Sequence, residues 1–226
     1  MKKHCGLFVT GTDTEVGKTI VSVALLNMLK RQGVSTAAMK PVASGATKIN
    51  DHFINDDALS LQQAASIDAP YAQVNPYVFS EAIAPHIAAA QAGVEIDFEM
   101  IKQSFQSLAG QSDFILVEGV GGWLAPLNRQ QTVADLAIEL ELPVLLVVGL
   151  RLGCINHALL SVSAIEQSGA MLQGWIANKV QGNYPCVDEN IDAIGQRLNA
   201  PLLATLDYLD DVARAMLDIR LEPRWI

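Results

Sequence analysis

The sequence predicts an α/β fold: a mostly parallel β-sheet flanked by helices on both faces, built as a single domain over residues 1–226. Three observations predict it. Short apolar runs alternate along the chain with stretches of helical apolar spacing. Hydrophobic residues make up 50% of the chain, enough to cover both faces of a sheet. A length of 226 residues also fits one core, which grows to about 250 residues before chains divide.

The elements follow in order. Residues 7–10, Leu-Phe-Val-Thr, read as a buried strand, and 18–32 as a helix that is apolar at helical spacing. A second strand at 36–40 stops at Pro41, and a helix fits 57–65. Residues 42–56 are polar and read as a loop, after which Pro70, Pro76 and Pro85 punctuate the chain. A polar excursion of that length in a compact domain is more often functional than idle. Helix 98–108 leads to strand 114–118, and helix 133–140 opens at Thr132 and Asp135, which are spaced as a capping box. Strand 144–148 lies within the longest apolar stretch, 142–150, which is too short to cross a bilayer. Helix 157–167, strand 175–178, helix 187–198, strand 202–206 and helix 211–217 complete the alternation.

Between the first strand and the first helix stands Gly-Thr-Asp-Thr-Glu-Val-Gly-Lys-Thr, residues 11–19. A loop in this setting curls its N–H groups around a triphosphate. Lys18 reaches the β/γ-phosphates, Thr19 ligates Mg²⁺, and the helix N-terminus faces the anion. The fold is therefore expected to be of the phosphate-loop NTPase kind. The usual spacing puts the first glycine at position 12; here Gly11 comes one residue early and Thr12 takes that place.

Bulk properties narrow the function. Lys+Arg of 15 against Asp+Glu of 24 gives a net charge of −9, which repels a nucleic-acid backbone. Cys5, Cys154 and Cys186 are odd in number and widely spaced, as suits a reducing compartment, and form no metal-ligand spacing with the histidines. The residues after Met1 run into a strand without a signal-peptide core. A cytoplasmic protein with no membrane or nucleic-acid partner is expected.

In open α/β sheets ligands bind at the carboxyl ends of the strands, and there the chemically unusual residues fall. The second strand ends in Lys40-Pro41-Val42-Ala43-Ser44-Gly45. The third ends in Glu118-Gly119-Val120-Gly121-Gly122, the fourth in 149–157, and the fifth in Asn178-Lys179. Glu118, closing an apolar run, stands where phosphate-loop enzymes place an acidic group for Mg²⁺; a buried carboxylate there needs a cation. Asp57, at a helix start, reads equally as a metal ligand or a helix cap. Lys40 reads as part of an anion site or as a solvated lysine. Gly153 to Asn156 reads as a helix cap or a second anion pocket. His157 reads as structural. Asp13 replaces the second lysine of partition-type ATPases, and Gln181 replaces the aspartate of a guanine-reading N-K-x-D, so adenine is the expected base.

Taken together, Gly11–Thr19, Lys-Pro-Val-Ala-Ser-Gly at 40–45, Asn-Pro-Tyr at 75–77, Ala-Pro-His at 84–86, Val-Glu-Gly-Val-Gly-Gly-Trp at 117–123 and Leu-Gly-Cys-Ile-Asn-His at 152–157 resemble the dethiobiotin synthetases of biotin synthesis. The resemblance spans most of the chain. It implies a cytoplasmic homodimer with its active site at the subunit interface, using ATP, Mg²⁺ and CO₂ to close a ureido ring on 7,8-diaminopelargonate. The diamine is carbamated, ATP phosphorylates the carbamate, and the second amine expels phosphate. By the same resemblance Thr19, Asp57 and Glu118 hold the metal, and Lys18 and Lys40 carry charge for phosphoryl transfer. Thr14 and Ser44 line the carbamate and diamine site. Glu15, Val16, Gly17, Lys18, Thr19 and Ile20, with Glu118, Gly119, Val120 and Gly121, surround the nucleotide. Gly153, Cys154 and Asn156 bind the substrate carboxylate from the neighbouring subunit. Asn178 reads adenine beside Lys179 and Leu206-Asp207-Tyr208. Departures from the family pattern fall at Lys179, at 206–208 and at Ala82. Two other readings compete: another phosphate-loop ligase or amidase, such as the cobyrinate-amidating enzymes, which usually add a glutaminase domain, and a non-catalytic switch ATPase.

Overall fold

The computed structural model describes residues 4–208. In chain order the elements are β1 (Gly6–Gly11), α1 (Lys18–Arg31), β2 (Thr36–Met39), β3 (Val42–Ser44), β4 (Thr47–Ile49), β5 (His52–Ile54), α2 (Asp56–Ala64), α3 (Tyr71–Val74) and β6 (Tyr77–Phe79). There follow α4 (Pro85–Gln91), α5 (Phe98–Ala109), β7 (Phe114–Gly122), α6 (Val133–Glu139), β8 (Val144–Leu150), α7 (Cys154–Gln167), β9 (Leu172–Lys179), α8 (Val187–Gly195) and β10 (Leu202–Leu206).

Six strands form one parallel sheet in the order β10-β9-β8-β1-β7-β2. β1 lies at its middle, with Val9 opposite both Glu118 and Leu145. Alternation along each strand splits the core. Leu7, Val9, Leu116 and Val147 pack beneath α1, with Leu25 and Leu29 of that helix, while Phe8, Val117, Leu146 and Trp175 face the opposite layer with Phe105 of α5. The parallel register brings the ends of β9, β8, β1 and β7 to the same edge of the sheet, so the loops leaving them lie along it.

All six expected strands are present, and several run further than their apolar cores; β7 extends to Gly122 through glycines that carry no periodicity. The helix expected at 157–167 starts at Cys154, because Gly153 takes φ 94° and caps it. The capping box at Thr132 and Asp135 forms. The expected loop at 42–56 instead holds β3, paired in parallel with β6, and the hairpin β4–β5. Strands of three residues carry too little alternation to register in sequence. The helix expected at 187–198 ends at Gly195, and the one expected at 211–217 lies outside the described residues. Among the described residues no helix is long and apolar enough to cross a membrane.

Candidate active site

The loop from Gly11 to Lys18 turns sharply because two of its residues take left-handed backbone conformations, Glu15 at φ 59° and Gly17 at φ 85°. Gly17 is required twice over, since a Cβ there would meet Asn178 Nδ2 at 2.1 Å. That Nδ2 donates to Val16 O at 2.9 Å, pinning the loop to the end of β9. Lys18 Nζ donates to Asp13 O at 2.8 Å. The Asp13 carboxylate accepts from Thr14 N at 2.7 Å and pairs with Arg151 at 2.5 Å.

Beneath the loop sits a buried ionic cluster. Lys40, only 3% exposed, leaves the end of β2 and places Nζ 2.5 Å from Glu118 Oε1 and 3.0 Å from Asp57 Oδ2. Thr19 Oγ1 donates to the same Glu118 oxygen at 3.0 Å. Glu118 is fully buried, and its Oε2 has no hydrogen-bond partner among the described residues; the Ser44 hydroxyl is likewise buried without one among them. Burial lowers the Lys18 ammonium to about 8 against the pull of Glu118, and neighbouring Lys40 adds to the descent. For Lys40 the cost of burial is outweighed by Glu118 and Asp57, so its ammonium is held above the ordinary lysine value. Burial by itself would raise the Asp57 carboxyl, yet Lys40 holds it below its usual range.

These groups surround a cavity of about 870 Å³. Its lining includes Thr14, Glu15, Gly17, Lys18, Thr19 and Ile20 of the loop, Lys40, Ser44 and Asp57 opposite, and Val120 and Gly121 from the end of β7. Two open alternatives close here. Asp57 is no helix cap, because the side chain of Asn55 accepts from Ala58 N at 3.2 Å and does that work. Lys40 is no solvated lysine. Val16 is buried and supports the loop from behind. Gly119 packs between Phe8 and Val133, away from the lining.

Asn178, Lys179, Leu206, Asp207 and Tyr208 form a separate ledge where β9 and β10 end beside Gly17. Gly153, Cys154 and Asn156 do not join the cavity lining; Asn156 is exposed, and the Cys154 thiol is buried against Asn190. Sequence reading missed Asp13 with Arg151, whose partnership spans 138 positions and leaves no local signal. It also gave no role to Asn55, Tyr71 and Asn75. Asn-Pro-Tyr and Ala-Pro-His stood out as motifs, and the second of them lines the cavity through Ala84 and Pro85.

A family model described as an AAA domain matches residues 5–216. The ATP-dependent dethiobiotin synthetase of Aromatoleum aromaticum is 49% identical over 216 residues, covering 95% of this chain and 96% of that protein. That of Pseudomonas aeruginosa is 47% identical over 218 residues, covering 96% of each. The chain belongs to the dethiobiotin synthetase family. Solved structures of far lower identity share its fold. MinD of Aquifex aeolicus, in its complex with MinC, has TM-score 0.55 at 14% identity over 93% of this chain and 86% of that one. A ParA-family ATPase of Chlorobium tepidum has TM-score 0.54 at 13% identity over 92% and 86%. Within the dethiobiotin synthetase family pattern, two of this chain's departures answer each other: Lys179 pairs with Asp207 at 2.6 Å.

Proposed function

We propose that this chain is an ATP-dependent dethiobiotin synthetase, converting 7,8-diaminopelargonate, CO₂ and ATP into dethiobiotin, ADP and phosphate. The observation that carries the reading is the buried ammonium of Lys40, set between Glu118 and Asp57 at the floor of the phosphate-loop cavity. A carbamate and a γ-phosphate are both anions, so bringing them into contact requires fixed positive charge. Lys18, Lys40 and the N-terminus of α1 supply it in a site preorganised for the purpose. Two carboxylates in place of such cations would repel both reactants.

The donor set suits Mg²⁺. Thr19, Asp57 and Glu118 offer hard oxygens, and the buried Glu118 Oε2, without a hydrogen-bond partner among the described residues, is an acceptor that a cation would satisfy. An ion held by these residues would supply positive charge to the triphosphate. The remaining work belongs to the chain's own residues. The phosphate loop wraps the triphosphate with backbone N–H groups, Lys18 exchanges its bond to Asp13 O for phosphate oxygens, and Lys40 balances charge as the carbamate oxygen attacks phosphorus and ADP departs. The free hydroxyl of Ser44 and that of Thr14 orient the carbamated diamine. The second amine then attacks the carbamoyl carbon, phosphate leaves, and the ring closes with loss of the amine proton.

The same proposal includes a homodimer in the cytoplasm. Gly153 and Asn156 lie outside the cavity of their own subunit, next to Leu152 at 92% exposure and Leu160 at 61%. That face suits a second copy, whose cavity would receive the α7 N-terminus for the substrate carboxylate. The test is incorporation of radiolabelled bicarbonate into an acid-stable product with diaminopelargonate, Mg²⁺ and ATP. Diamine-dependent incorporation is expected, and its absence in folded protein overturns the reading.

A further inference from the structure

We infer that Asn55, Tyr71 and Asn75 form a hydrogen-bonded positioning network that holds Lys40, Ser44 and Asp57 in register with one another. The three site residues come from different pieces of chain: the end of β2, the end of β3 and the first turn of α2. Only short elements connect those pieces, and something must fix their spacing.

The bonds trace a continuous path. Asn75, 2% exposed, donates through Nδ2 to Lys40 O at 2.7 Å and to Tyr77 O at 3.1 Å. Its Oδ1 accepts from the Tyr71 hydroxyl at 3.0 Å. That hydroxyl accepts in turn from Asn55 N at 2.8 Å. Asn55 then divides: Oδ1 caps α2 through Ala58 N, and Nδ2 donates to Ser44 O at 3.3 Å. Lys40 is held a second time, its N–H donating to Val74 O at 2.8 Å. The main chain beside each of the three site residues is thus tied into one network. Its polarity is forced: Asn75 Nδ2 serves two carbonyls, so Oδ1 faces the phenol and takes its proton, while the phenol oxygen accepts from Asn55 N–H.

Tyr71 and Asn75 are absent from the cavity lining, and Asn55, which lines it, makes no hydrogen bond to Lys40, Ser44 Oγ or the carboxylates. They are positioning residues. Their effect should appear in the geometry of the charged cluster, where displacements of about 1 Å cost on the order of 10²-fold in rate.

The inference rests on the assignment of Asp57 to Mg²⁺, so the test runs Tyr71→Phe beside Asp57→Asn. Tyr71→Phe keeps the ring and removes two bonds. Metal-free ATP affinity by calorimetry in EDTA should stay at the wild-type value. The Mg²⁺ concentration that half-maximally tightens ATP binding should rise about tenfold. In the synthetase assay kcat should fall about 10- to 100-fold with little change in KM for the diamine. Wild-type Mg²⁺ dependence and kcat in Tyr71→Phe, with both lost in Asp57→Asn, would overturn the network and keep the metal assignment. Unaltered Mg²⁺ dependence in Asp57→Asn would instead overturn the metal assignment, leaving kcat of Tyr71→Phe to decide the network. Loss of metal-free ATP affinity in Tyr71→Phe would reduce the hydroxyl to general structural support and also overturn it. Should Tyr71→Phe not fold, Asn55→Ser decides: serine still caps α2 and the backbone N–H still meets Tyr71, but the bond to Ser44 O is gone. A severalfold higher KM for diaminopelargonate supports the network, and a wild-type KM overturns it.

Discussion

A lysine withdrawn from water is costly unless its charge is matched, and Lys40 is matched twice, by Glu118 at 2.5 Å and Asp57 at 3.0 Å. On the proposed mechanism, an ammonium fixed there would meet the transferred phosphoryl oxygens as they gather charge. Lys40→Gln keeps much of the length and a donor for each carboxylate while removing the charge. The expected outcome is retained fold and Mg·ATP binding, with kcat for bicarbonate incorporation lowered by about 10²–10³, the scale of one preorganised electrostatic contact. Near wild-type kcat would remove Lys40 from the reaction. At the proposed nucleotide-base end, Asn178 Nδ2 gives one of its two N–H groups to Val16 O, and no donor among the described residues bonds its Oδ1. Lys179 is engaged by Asp207. What remains for a base is the Oδ1 acceptor beside one amide N–H, a pair that matches the N6 amine and N7 of adenine, whereas guanine presents acceptors at both O6 and N7. The kcat/KM for ATP should exceed that for GTP by at least about tenfold, the worth of one hydrogen bond set against an unpaired acceptor. Equal values would place base recognition elsewhere.

Among the elements, the least regular stretch carries the most consequence. α3 has four residues, and its Tyr71 ties α2 to β2 through side-chain hydrogen bonds. Burial raises the Tyr71 phenol above the ordinary tyrosine value of 10.0, with Asp56 adding to the rise against the Asn55 bond. A folded-state value above the unfolded one means that this contribution to stability is whole below pH 10 and disappears as pH climbs through the folded value. The urea-midpoint gap between wild type and Tyr71→Phe should therefore be constant from about pH 7 to 9 and narrow above about pH 10. A gap independent of pH would show that the phenol does not need its proton. Elements of this kind were not legible in the sequence. The six main strands announce themselves because each carries an apolar run longer than its turns, and α6 because its capping box is local. β3, β6 and the hairpin are three residues per strand, held by partners rather than by pattern. The site divides the same way. Lys18, Lys40, Ser44 and Glu118 were legible as residues at strand ends. The roles of Asp13 with Arg151, and of Asn75 with Lys40, depend on contacts across 138 and 35 positions that only the fold creates.

For the molecule as a whole, the proposed dimer turns on where the substrate carboxylate binds. The phosphate-loop cavity is lined by Lys18 and Lys40, and its lining includes neither Gly153 nor Asn156. Yet α7 is a helix of 14 residues whose N-terminus is opened by Gly153 at φ 94°. Its first-turn N–H groups are the kind of site that attracts a carboxylate. Beside it Leu152 is 92% exposed and Leu160 61%, two apolar side chains near the start of α7 that a second copy would cover. Both facts are explained together if α7 of one subunit completes the cavity of the other about a twofold axis. Complementation distinguishes this from two independent sites. Lys18→Ala and Asn156→Ala proteins should each be nearly inactive. After exchange at equal amounts, half of the dimers are mixed, and each mixed dimer holds one site with Lys18 from one subunit and Asn156 from the other. Activity should return to about a quarter of wild type. If subunit exchange is verified by mass and no activity returns, each cavity is served by its own α7, and the shared-site arrangement is wrong.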